Sequence, residues 1–127
     1  MTGNQTKPQA IVLLGHGSRD AQWRAPMDAV RDRLLALTPD SPVQCAFLEL
    51  AKPDLGEAVA ALAAAGVSRI RVVPLFLGVG RHVREDLPGL IQSLREAYPQ
   101  LAIELRTSVG EDARLIELLA RIASDGA

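Results

Sequence analysis

Two histidines and one carboxylate hold most of the chemistry open to this sequence. His16 stands between Gly15 and Gly17 and is followed by Ser18 and Arg19; His82, the only other histidine, follows Gly78-Val79-Gly80-Arg81; Glu49 ends the apolar run Val43–Leu48. Imidazole and carboxylate together suit a borderline divalent ion such as Fe, Co, Ni or Zn and leave coordination positions open. The thiolates of a closed structural zinc site are missing, because Cys45 is the only cysteine. Imidazoles also exchange protons near neutral pH, so the same residues suit acid–base work. Each has a plainer reading: a histidine satisfying a turn hydrogen bond, or a solvated carboxylate at a strand end. The similar settings of His16 and His82 favour a functional reading of the pair, whereas both readings of Glu49 stay open.

The elements that must position these residues follow from periodicity. Ile11-Val12-Leu13-Leu14 is apolar without alternation, as in a strand buried on both faces of a parallel sheet, and it places His16 at the strand's carboxyl end. The flanking glycines free the backbone to turn and let another group approach closely. Asp20–Ala25 reads as a loop or irregular turn. Pro26 opens a helix with Met27, Val30, Leu34 and Leu37 at helical spacing. Val43–Leu48 is a second strand; Asp54 caps a helix carrying Leu55, Val59 and Leu62, which Gly66 ends. Arg69–Phe76 is a third strand, with residues 77–82 a glycine-rich loop beyond it. A helix anchored near Pro88 carries Leu90, Ile91, Leu94 and Ala97. Leu101–Leu105 is a fourth strand, and Asp112 caps a last helix bearing Leu115, Leu118 and Ile122.

The order βαβαβαβα with short connections predicts a single-domain α/β fold over residues 9–125: a four-stranded parallel sheet, helices on both faces, flavodoxin-like strand order. Residues 1–8 are expected to be a flexible amino terminus. All strands of a parallel sheet open on one edge, so His16, Glu49 and His82 can converge there from distant stretches of chain. Arg19, Arg24, Lys52, Arg81 and Arg84 should ring the same edge. Guanidinium forks bind carboxylates and phosphates, which suggests a polyanionic small ligand; solvated loop charges are the plain alternative for any one of them.

Other classes are disfavoured. A formal net charge of -1 and an aromatic fraction of 3% argue against a general nucleic-acid or anionic-membrane binder. Gly15-His16-Gly17 and Gly78-Val79-Gly80 lack the third glycine of a dinucleotide fingerprint, since Asp20 and Val83 stand there, and no Walker lysine follows. Cys45, among Val43, Ala46, Phe47 and Leu48, reads as a small core residue. The polar start of the chain has no apolar h-region and no run is long enough to span a membrane, so the expected place is the cytoplasm.

Taken together, Leu14-Gly15-His16-Gly17-Ser18-Arg19, Phe47-Leu48-Glu49, Val72–Val83 and Glu85-Asp86-Leu87-Pro88 resemble the small CbiX-type class II chelatases over nearly the whole chain from Ala10 to Ala123. The resemblance implies insertion of a divalent metal, Co²⁺, Fe²⁺ or Ni²⁺, into sirohydrochlorin on the way to cobalamin, siroheme or a nickel tetrapyrrole. His16 and His82 would bind the metal and remove protons, with Glu49 assisting. Ser18, Arg19, Arg24, Gly80, Arg81 and Arg84 would contact the carboxylate-rich macrocycle. No tightly bound cofactor is implied, the metal being a substrate, and a homodimer is expected. The sequence lacks a histidine-rich tract, which weakens a metal-storage role, and Arg24 stands where many relatives carry other residues. The competing readings are a non-catalytic tetrapyrrole or metal carrier and a histidine phosphatase; against the latter, Gly15 stands where that class has an arginine before its histidine.

Overall fold

The apolar runs form four strands, β1 (Gln9–Gly15), β2 (Val43–Phe47), β3 (Arg69–Pro74) and β4 (Ala102–Leu105). The periodic segments form helices α1 (Ala25–Leu37), α2 (Leu55–Ala64), α3 (Arg81–Ala97) and α4 (Ala113–Asp125). This computed structural model describes residues 9–125, and the flexible segment expected over 1–8 lies outside them. Every strand pair is parallel and the order is β2-β1-β3-β4. That is the expected flavodoxin-like arrangement, with the His16 strand in the interior of the sheet. Among the described residues no helix is long and apolar enough to cross a membrane.

Local signals act as their chemistry dictates. Pro26 sits in the first turn of α1, where its missing N–H is harmless. Asp54 and Glu57 form a reciprocal capping box on α2: the Glu57 N–H donates to Asp54 Oδ1 and the Asp54 N–H donates to Glu57 Oε1, each at 2.8 Å. Gly66 follows the end of α2 with φ 87°, the left-handed conformation that glycine adopts without a Cβ clash.

One boundary departs from expectation and moves site residues. Helix α3 begins at Arg81, so Arg81 and His82 lie in its first turn and not in a loop. Pro88 is interior to the helix. Gly80 is the N-cap in extended conformation, and the Arg84 N–H donates to the Gly80 carbonyl at 3.0 Å. Pro88 cannot donate to the Arg84 carbonyl four residues earlier, but both residues are exposed and water can satisfy that oxygen.

The two faces of the sheet are covered unequally. Alternation along β1 sends Ala10, Val12 and Leu14 to one side and Ile11 and Leu13 to the other. The first side is closed by Leu55, Ala58, Val59 and Leu62 of α2 and Leu87, Ile91 and Leu94 of α3, all buried. The second cluster consists of Ile11, Leu13, Met27, Cys45 and Phe47 and takes one buried residue, Met27, from a helix. On this side Val30 and Leu37 of α1 are 46% and 62% exposed, and no residue of α4 is buried. The inward stripes expected of these two helices are therefore only partly covered: Leu34 and Leu115 are half-buried, whereas Leu118 and Ile122 are exposed. The strands explain part of this. Arg71 faces Glu104 across the β3–β4 register and pairs with it at 3.0 Å, placing an ion pair where an apolar helix would have to sit.

Candidate functional site

The carboxyl ends of β1 and β3 open into a groove of about 870 Å³ on the less covered face. Its walls are the start of α1 and the start of α4, with Trp23, Met27 and Val30 on one side and Val109, Leu115 and Leu118 on the other. Leu75, Phe76 and Leu77, following β3, line it as well. The volume is that of a small-molecule site, and the lining is mostly apolar with few polar groups, the usual composition of such sites.

His16 is exposed and lines this groove. Its ring stands edge-on to that of Phe76, with centroids 6.4 Å apart and planes at 76°. The backbone around it is held on two sides. The Leu48 N–H donates to the Gly15 carbonyl and the Glu49 N–H donates to the His16 carbonyl, each at 3.1 Å, extending the β1–β2 pairing past the formal strand ends. Gly17, with φ 107°, completes this seam. A Cβ there would lie 1.6 Å from the Glu49 carbonyl oxygen, so only glycine lets the two loops meet. The close approach expected beside His16 is thus made by the Glu49 backbone.

The remaining sequence candidates are distributed as follows. Glu49 is exposed and is joined to His16 through the main chain, but its residue does not line the groove. His82 is exposed on the first turn of α3 and is likewise absent from the groove wall. Among the described residues no three histidine, cysteine, aspartate or glutamate side chains gather into a metal-holding group, so His16, His82 and Glu49 do not form a preassembled three-ligand set. Ser18 accepts the Asp20 N–H at 3.0 Å and Asp20 accepts the Gln22 N–H at 2.9 Å, a pair of bonds that fixes the turn after His16.

The arginines divide. Arg24 forks onto Asp28 at 3.1–3.2 Å and its guanidinium lies 5.0 Å from the Phe47 ring centroid, so it is already held by the protein. Arg81 pairs with Glu85 at 3.0 Å, an exposed i,i+4 contact of small energetic consequence. Arg19 and Arg84 are exposed and have no ion-pair partner among the described residues. Gly80 contributes its backbone as the cap of α3.

Sequence reasoning missed the groove walls, above all Trp23 and Asp112. The available signal was that Trp23, the only tryptophan, falls seven residues after His16. Asp112 accepts the Arg114 N–H at 2.8 Å and the guanidinium of Arg114 at 2.7–3.0 Å. The Arg114 side chain and backbone hold its carboxyl well below the usual carboxylate range. This carboxylate is therefore anionic at neutral pH where α4 begins, favourably placed for the helix dipole. Burial raises the Cys45 thiol, in keeping with its role as a core residue.

The chain matches the family model CbiX over residues 10–125. It is 34% identical to the sirohydrochlorin cobaltochelatase of Methanosarcina acetivorans over 86 residues, covering 68% of this chain and 66% of that protein. It is 33% identical to the sirohydrochlorin ferrochelatase of Priestia megaterium over 111 residues, covering 87% of this chain but 41% of that protein. The matched stretch thus spans less than two thirds of either relative. Among solved structures, a CbiX protein of Marinobacter aquaeolei VT8 superposes with a TM-score of 0.79 at 33% identity, covering 91% of this chain and 94% of that one. With the family model matched over residues 10–125 and relatives at 33–34% identity, the chain belongs to the CbiX family.

Proposed function

We propose that this domain inserts a divalent metal, Co²⁺ or Fe²⁺, into sirohydrochlorin. The observation that carries the reading is an exposed imidazole, His16, on the wall of an open apolar groove at the carboxyl edge of the sheet. A flat macrocycle needs such an uncharged slot for its ring, with cations at the rim for its acetate and propionate groups. Arg19 and Arg84, with no protein partner in the described residues, suit that rim, with Ser18, Gly80 and Arg81 beside them.

Metallation requires that two pyrrole N–H protons leave while the ion exchanges water for ring nitrogens. His16 is the group placed to hold the incoming ion or to accept a proton at its free ring nitrogen. His82 and Glu49, which stand at the same sheet edge but off the groove wall, are read as second proton acceptors at its rim. The ion is a substrate that must be released, and the macrocycle supplies most of its final ligands. The uncovered apolar face of α4 suits association with a second copy, and we read the protein as a homodimer of the cytoplasm.

The test is the rate at which the metallated spectrum appears when sirohydrochlorin is mixed with Co²⁺, Fe²⁺ or Ni²⁺. The protein should accelerate at least one metal catalytically, and His16→Ala or His82→Ala should slow it by about 10²–10⁴. A stoichiometric spectral shift with no gain in rate would instead identify a carrier.

A further inference from the structure

We infer that Trp23 is the stacking wall of this groove, a positioning residue that holds the tetrapyrrole ring flat beside His16; the inference rests on the proposed function. Trp23 lies on a short 3-10 turn, Ala21–Arg24, and is 40% exposed although it is the largest apolar side chain in the protein. It lines the same groove as His16. On the groove wall, a flat ligand would cover this indole and add the burial of its exposed area to binding.

The ring is held before any ligand arrives. Its centroid lies 6.1 Å from that of Phe47, which is fully buried, with the planes tilted by 56°. Behind it, Gly15 presents no Cβ; one added there would lie 3.3 Å from Trp23 Cη2 and 2.9 Å from Met27 Sδ. Glycine at position 15 therefore lets both side chains close over the end of β1. The backbone is fixed as well, because the Trp23 N–H donates to the Asp20 carbonyl at 3.0 Å and Asp20 is itself held through Ser18. A rigid aromatic face loses little conformational entropy on stacking, and stacking tolerates variation in peripheral substituents. Trp23 thus recognises the flat conjugated ring, while the rim cations recognise the carboxylates.

The experiment measures binding of metal-free sirohydrochlorin by absorbance titration, together with kcat and KM for insertion, in wild type, Trp23→Phe, Trp23→Leu and Trp23→Ala. Stacking predicts that Phe stays within about threefold of wild type. Leu and Ala should raise Kd and KM by about tenfold or more while kcat changes by less than about threefold. If Ala fails to fold, the comparison of Phe with Leu still decides, since both keep an apolar side chain against Met27 and Phe47. Equal affinity of Leu and Phe variants, or a fall in kcat at constant KM, overturns the stacking role while leaving the chelatase reading intact. A wild-type protein that neither binds nor metallates sirohydrochlorin overturns both.

Discussion

The two faces of the sheet share strands but not packing. Against α2 and α3, side chains such as Val12, Ile70, Val72 and Ile91 are at most 1% exposed. Against α1 and α4, the buried set ends at Met27 and Phe47, and a groove opens beyond them. Both faces derive from the same alternation along β1, so that strand does not separate them. The difference lies in the helices and in β3–β4, where Arg71 and Glu104 hold the ground that a second apolar layer would need. The closed face holds most of the buried apolar side chains, while the other keeps an open groove.

Substitutions that break this contrast differ in size. The largest loss of stability is expected from Ile91→Ala on the closed face. Removing a side chain that is 1% exposed should cost about 2–5 kcal/mol, seen as a lower midpoint in denaturant at unchanged slope. A loss under about 1 kcal/mol would mean that this face is not tightly packed. Next comes Asp54→Ala, which removes one half of the α2 capping box and should cost about 0.5–2 kcal/mol.

On the open face, Leu119→Ser with Ile122→Ser should change the stability of the monomer by about 0.5 kcal/mol or less, because both residues are exposed and neither lines the groove. The same pair should weaken self-association in sedimentation. A large loss of monomer stability would show α4 to be part of the core.

The smallest effect concerns acid. The Asp112 carboxyl is lowered from the usual 3.8 by Arg114, so its contribution to folding is present above that value and fades as pH falls below it. Circular dichroism should therefore show wild type losing more of its stability advantage over Asp112→Asn between pH 4 and acid extremes than between pH 7 and 4.

Much of this architecture can be read from the chain. Pro26, Asp54 and Gly66 mark their helix ends because capping chemistry is local. Parallel pairing follows from the βα alternation. The start of α3 is less legible, since Gly80 caps it without a side-chain bond and Pro88, an apparent opening signal, lies in the interior. The Arg24–Asp28 pair could have been anticipated from their four-residue spacing, that of a helical ion pair. Whether an apolar stripe is covered is a property of the assembled fold, so the openness of α4, and with it the groove, had no counterpart in periodicity. The separation of His82 from the groove wall is equally non-local: the topology fixes a shared edge, not a shared cavity.

The central claim is that the open face receives the macrocycle. Hydrogen–deuterium exchange with and without sirohydrochlorin tests it most directly. Slower exchange is expected in residues 15–30, 75–84 and 109–118, with α2 unchanged. Protection confined to α2, or to the separate pocket formed by Gln9, Arg69 and Arg95 at the opposite edge, would contradict it.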